Sequence, residues 1–175
     1  MCGDMDPISP IPGVDDYGRA AVRATQLCRS ELDISPSDAW MRGTQEFPES
    51  AKDADKRCPM ATFLGLCEAG RITGIKGGLE YIGGGNSFLR KNLLSKRYVE
   101  QSIQYAIDAV LILINDPEIA MLALVDTLKA KCELYRRLGI TNTSNSQMDV
   151  VLALWILKLV ATDPEALIDS GKLSL

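Results

Sequence analysis

The stretch from Gln147 to Val160 is apolar on nearly every helical face, and it constrains the fold more than any other part of the chain. Its longest uninterrupted apolar run, Val150 to Leu157, has eight residues. That is far short of the roughly 18 to 20 residues needed to span a bilayer. A helix that is apolar all round must be covered on all sides. We therefore expect it to be either the central helix of a bundle or part of an interface between subunits.

The rest of the sequence predicts further helices around this segment. Apolar residues at helical spacing predict a helix from Asp15 to about Ile34, and the Ser35-Pro36 step opens a second helix. Residues 49–55 are predicted to be a loop or a ragged turn of helix. The second helix is predicted at 37–46. The other predicted helices lie at 59–69, from 87 or 95 to 115, at 117–138 and at 163–171. We expect one predominantly all-α domain, a bundle of six or seven helices over residues 15–175, after an irregular arm of residues 1–14.

The segment from Lys56 to Gly70 has the signals of a complete short helix, with Pro59 in its first turn and Gly70 as a left-handed stop. Its sequence is Lys-Arg-Cys-Pro, then Phe-Leu-Gly-Leu-Cys-Glu-Ala-Gly, followed by Thr-Gly-Ile at 73–75. This pattern resembles the core motif of a small, uncharacterised bacterial domain family. The resemblance runs from about Tyr17 to about Ala106. It implies no established activity, so the function has to be inferred from the residues themselves.

Two short apolar pieces follow the motif helix. Residues 71–75 and 79–82 flank Gly77-Gly78, and this arrangement predicts a small two-stranded hairpin near residues 71–82. The predicted order of elements is two helices, the motif helix and then a hairpin. This is also the order of elements in a winged-helix fold. The helix that would then read DNA, residues 59–69, carries no Arg, Asn or Gln to address base edges.

The composition excludes several kinds of catalytic and metal site. The chain contains no histidine, which excludes Ser-His-Asp and Cys-His catalysis and His-ligated zinc. The five cysteines are widely scattered without a Cys-x-x-Cys pair, so neither a disulfide framework nor a four-cysteine zinc site is predicted. We expect no metal and no cofactor. Acids and prolines at the start of the chain do not form a signal peptide, and we predict a cytoplasmic protein without a membrane partner.

Two residues are weak candidates for catalysis. Cys58 lies at a predicted helix start beside two cations, an environment that favours a thiolate. It lacks a histidine base, and the alternative is a small residue that fixes the entry to the helix. Glu68 is a candidate acid or base, or the partner of Arg71 three residues later on the helix surface. We favour a non-catalytic chain over an enzyme, because no base, metal set or phosphate motif accompanies these two residues.

The charge is divided along the chain into three parts. Residues 1–55 hold five basic and eleven acidic side chains, residues 56–97 hold eight and two, and residues 98–175 hold six and ten. We call residues 56–97 the basic segment. Its cations either meet an anionic partner or form a solvated face that answers the acidic parts of the same chain. The eight cations are Lys56, Arg57, Arg71, Lys76, Arg90, Lys91, Lys96 and Arg97.

A glycine run lies inside the basic segment. Gly83 to Ser87 precedes a helix with Arg90 and Lys91, an arrangement that resembles an anion cradle. Neither of the established glycine motifs for nucleotides is present, and the alternative is a flexible connector.

These observations lead to three hypotheses about function. The first is a non-catalytic binding or regulatory domain whose basic segment engages an acidic protein or a nucleic acid. The second is a homo-oligomeric interaction protein, a homodimer in its simplest form, assembled through the apolar helix 147–160. The third is a cysteine-dependent enzyme.

Overall fold

The computed structural model describes residues 7–54, 56–78 and 96–162, with the backbone alone for 96–98. It has no strand in these residues, and the all-α prediction is confirmed. Eight α-helices and a single 3-10 turn, Thr143–Asn145, are described. The helices are α1 (Asp16–Ser30), α2 (Pro36–Thr44), α3 (Pro48–Lys52), α4 (Arg57–Glu68), α5 (Lys96–Asn115), α6 (Pro117–Val125), α7 (Thr127–Leu138) and α8 (Gln147–Ile156).

Helix α8 is the centre of the bundle. Met148 and residues 150–154 are fully buried, and α8 contacts α1, α4, α5, α6 and α7. Of the two alternatives for this helix, the structure shows the central one, because the chain's own helices already cover these side chains. The helix is shorter than predicted, since Lys158 takes a left-handed φ of +58° and turns the chain away.

Helices α1 and α2 form a closely packed pair before α4. A Cβ atom at Gly43 would lie 2.8 Å from the carbonyl oxygen of Ala20, so glycine permits this close approach. Trp40 on α2 is fully buried and stacks on Phe63 of α4, with 5.5 Å between ring centroids. Its indole N–H donates to the Ala54 carbonyl at 3.0 Å. The aromatic stack therefore fixes α2 against the motif helix.

The helix predicted over 117–138 is two helices. Asp126 has a non-helical backbone (φ −147°, ψ 78°), and its carboxylate accepts the N–H of Lys129 at 3.2 Å. One residue thus ends α6 and caps α7. The predicted loop or turn at 49–55 contains a short helix, α3. These two differences account for the larger number of helices.

The prediction of a winged-helix hairpin is wrong in the residues that the structure describes. Ile72 forms an isolated antiparallel bridge with Val160. The N–H of Thr73 donates to the Leu159 carbonyl at 2.8 Å, and the N–H of Ala161 donates to the Arg71 carbonyl at 2.8 Å. The chain after α8 therefore occupies the place that the prediction gave to residues 79–82. Residues 79–82, the glycine run at 83–87 and the predicted helix at 163–171 lie outside the described residues.

Candidate functional site

Three helices begin close together in the interior of the fold. Helix α1 follows Asp15, α4 follows Lys56, and α8 follows Ser146. The hydroxyl of Ser146 donates to Oδ2 of Asp15 at 2.5 Å, and Nζ of Lys56 donates to the Ser144 carbonyl at 2.9 Å. We call the side chains that meet here the helix-start cluster. Its members are Asp15, Lys56, Lys131, Tyr135, Ser146 and Asp149.

Asp149 is the most buried carboxylate of the helix-start cluster, at 3% exposed. Its Oδ1 atom accepts the backbone N–H of Asp15 at 2.9 Å and the ammonium of Lys131 at 3.0 Å. The same ammonium donates to the Gly13 carbonyl at 2.7 Å. Because a buried charge has to be paired, these bonds connect the chain before α1 to α7 and α8.

The carboxyl group of Asp15 caps α1, and its neighbours have opposing effects on its pKa. Burial raises the pKa of Asp15, and the negative charge of Asp149 raises it further. The Ser146 hydroxyl and the N–H groups of Gly18 and Tyr17 donate to this carboxylate and lower the pKa in part. Desolvation is the largest of these effects, so the neutral form of Asp15 is favoured compared with an exposed aspartate.

Ser146 takes an unusual backbone conformation in order to join two helices. It has a left-handed φ of +60°, which is rare for a residue with a side chain. Its side chain does not cap α8, because the hydroxyl is directed at Asp15. The serine therefore connects the start of α8 to the start of α1 in place of an ordinary N-cap.

Tyr135 brings a buried hydroxyl to the helix-start cluster. The residue is 3% exposed, and the hydroxyl has no hydrogen-bond partner among the described groups. The backbone N–H of Met148 lowers the pKa of this hydroxyl in part. Burial, together with the charges of Asp149 and Asp15, raises the pKa of Tyr135 far above its usual range. The hydroxyl therefore stays protonated and cannot serve as a base near neutral pH.

The structure brings Cys58 to this part of the fold, and no hydrogen bond among the described residues links its thiol to a base. Cys58 is half-buried in the first turn of α4 and lies near enough to Tyr135 to affect the electrostatics of its hydroxyl. Glu68 is half-buried at the opposite end of the same helix, so the two catalytic candidates are about 15 Å apart along its axis. Two groups at that distance cannot act on one reacting atom.

Burial disfavours the thiolate form of two other described cysteines, Cys28 and Cys67. Burial raises the pKa of Cys67 well above its usual value, and burial also raises the pKa of Cys28 to about 11. Within residues 7–54, 56–78 and 96–162, no group of three or more Cys, Asp or Glu side chains is placed to hold a metal ion.

The described cations of the basic segment lie near the two ends of α4. Lys56 and Arg57 stand at its start, both half-buried. Arg71 is half-buried and Lys76 is exposed, and both follow the end of the helix. These two pairs are separated by about 18 Å, the length of a 12-residue helix. Lys96 and Arg97 belong to the first turn of α5, where the structure describes the backbone alone. Arg90 and Lys91 lie outside the described residues.

The half-buried side chain of Lys56 lies against its own fold. Besides the bond to Ser144, its ammonium lies 3.5 Å from the Ser146 hydroxyl and 5.1 Å from the centre of the Tyr17 ring. A cation over an aromatic face is attracted by the ring. This lysine therefore holds the helix-start cluster together, a role that its place in the basic segment did not predict.

Sequence reasoning did not identify Asp15, Lys131, Tyr135, Ser146 or Asp149 as site residues. One signal was available, because Asp149 is an acid in the first turn of a helix that is otherwise apolar. A charge there must find a buried partner, but the identity of the partner follows only from the packing of α7 and of the chain before α1 against α8.

The span of the fold agrees with the span of a known family. The sequence model of a family of unknown function, DUF6979, matches residues 14–161. The chain belongs to this family. The resemblance seen in the motif helix is thereby confirmed at the level of a family without an assigned activity. The DUF6979 match extends past Ala106 as far as the residues that bridge Ile72, and it contains every member of the helix-start cluster.

Neither a curated protein nor a solved structure matches the chain. Among the described helices of this DUF6979 member, none combines the length and the apolar character that a membrane crossing requires.

Proposed function

We propose that this chain is a non-catalytic binding domain that engages an acidic macromolecule through its basic segment. The observation that carries the proposal is the separation of charge along the chain. It is supported by ion pairs that carboxylates of the two outer parts form with cations of the same part. The net charge is +6 for residues 56–97, against −6 and −4 for the parts on either side.

The ion pairs described in the outer parts stay within those parts. Arg23 pairs with Glu46 at 2.6 Å, and Arg42 pairs with Glu31 at 2.7 Å, both within residues 1–55. Arg137 pairs with Asp116 at 2.7 Å, within residues 98–175. These carboxylates are therefore held by cations of their own part of the chain. The carboxylates of these three pairs are therefore not the ones that answer the basic segment, which supports an external acidic partner.

The burial of α4 defines what kind of contact the partner can make. Residues 59–67 are buried, so this helix has no free face to lay in a DNA groove. Contacts would come from long cationic side chains near its ends and from the rest of the basic segment. Such contacts suit phosphates or carboxylates and carry no base sequence information.

The non-catalytic part of the proposal has separate support. The chain has no histidine, the Tyr135 hydroxyl near Cys58 stays protonated, and Glu68 is remote from Cys58 on the same helix. A nucleophilic cysteine requires a neighbouring base or a depressed pKa. The cysteine-dependent alternative is therefore not favoured by the described geometry.

Removing charge at matched positions tests the proposal. The double variant Lys76→Gln, Lys91→Gln removes two cations of the basic segment, and Lys52→Gln, Lys158→Gln removes two from outside it. Two phosphate or carboxylate contacts are worth on the order of 1.4 kcal/mol together, so the first variant should bind a labelled duplex DNA or polyglutamate about tenfold more weakly. The control variant should bind within about twofold of the wild type.

The two probes also separate the kinds of partner. Stronger binding of the duplex at equal charge would indicate nucleic acid, and stronger binding of polyglutamate would indicate an acidic protein. An equal loss of affinity in both double variants would contradict the proposal, since net charge rather than the basic segment would then be responsible. Absence of binding to either probe at low salt would contradict it as well.

A further inference from the structure

An apolar face on α6 and α7 remains uncovered in the described fold. The side chains of Met121, Leu124, Val125 and Leu128 are between 56% and 72% exposed. Met121, Leu124 and Val125 lie on one face of α6 at the spacing i, i+3 and i+4, and Leu128 follows in the first turn of α7, after the break at Asp126. We call these four residues the apolar face. The other exposed large apolar side chains among the described residues belong to other segments of the chain, and they are Leu32, Met41, Leu111 and Leu157.

The composition of α6 explains why this face exists. The helix buries Ile119 and Ala123, one turn apart, against its neighbours. Among its other apolar positions, Ala120 and Leu122 are half-buried, whereas Met121, Leu124 and Val125 are left in water. A solvent-facing stripe would ordinarily carry polar side chains. Contiguous exposed apolar patches on a folded domain mark an interaction site.

The charges around the apolar face identify what can cover it. Glu118 is exposed one turn before Met121, and Lys129 is exposed directly after Leu128. The apolar face thus follows an exposed acid on α6 and precedes an exposed base on α7, with the exposed Asp126 between the two helices, and it favours neither a strongly acidic nor a strongly basic partner. When a second copy is turned by 180°, its basic end meets the acidic end of the first, and its apolar residues meet the same apolar residues.

We propose that the apolar face binds a second copy of the chain in a twofold dimer. The twofold axis passes near the middle of the apolar face, beside Leu124 and Val125. Glu118 of each copy then lies near Lys129 of the other. This interface replaces the predicted assembly through the helix at 147–160, because the bundle itself buries residues 147–154 of that segment. It uses none of the residues of the basic segment, so it stands independently of the proposed function.

The size of the apolar face sets the expected strength. Four partly exposed side chains provide a few hundred Å² of apolar surface, compared with about 800 Å² per partner in a standard interface. We therefore expect a reversible dimer with a dissociation constant on the order of micromolar to tens of micromolar.

Sedimentation equilibrium of the full chain tests the dimer. The wild type should move from the 19.1 kDa of one chain towards twice that mass as its concentration rises to about 200 μM. Leu124→Glu places like charges across the axis and should weaken association at least tenfold. The matched control is Leu32→Glu, the same change at a leucine that is fully exposed outside the apolar face, and it should associate like the wild type.

A mixture of two oppositely charged variants distinguishes a loss of dimerisation from a folding defect. Leu124→Glu and Leu124→Lys should each be monomeric alone and should form a mixed dimer when combined, because opposite charges then meet across the axis. Three results would overturn the proposal. They are a wild type that stays monomeric over the whole concentration range, association that Leu124→Glu leaves unchanged, and a mixture that remains monomeric although both variants keep the wild-type melting temperature.

Discussion

Asp15 has two opposing effects on stability. Its carboxylate caps α1, whereas its buried negative charge is unfavourable. Its carboxylate caps α1 by accepting the N–H groups of Tyr17 and Gly18, and it also accepts the Ser146 hydroxyl. Burial and the charge of Asp149 nevertheless raise its pKa. A carboxyl whose folded pKa is raised stabilises the fold fully below its unfolded pKa. That contribution is lost as the pH rises through the folded pKa.

The substitution Asp15→Asn separates the cap from the charge. The amide keeps an oxygen for the N–H groups of Tyr17 and Gly18, and it can donate to the Ser146 hydroxyl, which also accepts hydrogen bonds. We expect the free energy of unfolding to rise at pH 7 and to match that of the wild type near pH 3, because the substitution removes a buried charge that is present only at the higher pH. Urea denaturation at several pH values measures both quantities.

Asp15→Ala is the control, because it removes the cap as well as the charge. It should lower the free energy of unfolding at pH 7 by about 0.5–2 kcal/mol. The assignment would be contradicted if Asp15→Asn destabilised the protein at pH 7 as much as Asp15→Ala does, since the charge would then be favourable in the folded state.

At the scale of elements, the contact between α1 and α8 depends on a glycine. A Cβ atom at Gly18 would lie 2.6 Å from the carbonyl oxygen of Asp149 and 3.0 Å from the Cβ of Ala153. These atoms belong to the central helix, whose backbone is fixed by its neighbours on all sides. The absence of a side chain at Gly18 therefore sets the distance between the two helices.

Gly18→Ala places two effects in competition. Alanine favours the interior of a helix over glycine by about 1 kcal/mol, whereas overpacking against a fixed backbone costs about 1–3 kcal/mol and more when a carbonyl must move. We expect the clash to win, with a net loss of about 1–3 kcal/mol in the free energy of unfolding. Thermal or urea unfolding measures this. A gain in stability would show that α1 and α8 can separate without loss.

The elements that the sequence predicts well are those with local signals. Proline and serine at 35–36, Asp116-Pro117 and Gly139 mark helix ends that the structure reproduces. The break at Asp126 has no proline beside it, so the apolar pattern continues through it and a single helix is predicted. A capping aspartate alone is a weaker signal than the same residue followed by proline.

The hairpin prediction was wrong for a different reason. The apolar alternation at 71–75 indicates extended chain, but it does not say which segment pairs with it. The actual partner of Thr73 is Leu159, 86 positions away. The helix-start cluster was missed for the same reason, since Asp15 and Ser146 are 131 positions apart. Local patterns predict elements, and long-range contacts depend on packing that only the folded chain shows.

At the scale of the whole molecule, the two proposed surfaces occupy different parts of the chain. The basic segment covers residues 56–97, while the apolar face belongs to α6 and α7. The helix-start cluster joins α1, α4, α7 and α8 and has an architectural role in this account. A dimer would present two basic segments at once, which increases the avidity for a long acidic partner.

The most direct measurement of the central claim is the salt dependence of binding. Equilibrium affinity for a labelled duplex DNA and for polyglutamate is measured from about 50 to 200 mM salt with the wild type. If the basic segment engages the partner through its cations, the logarithm of the affinity should fall linearly with the logarithm of salt. Several displaced counterions should give a slope of about −3 to −5 with the duplex. A slope near zero with both probes would contradict the claim.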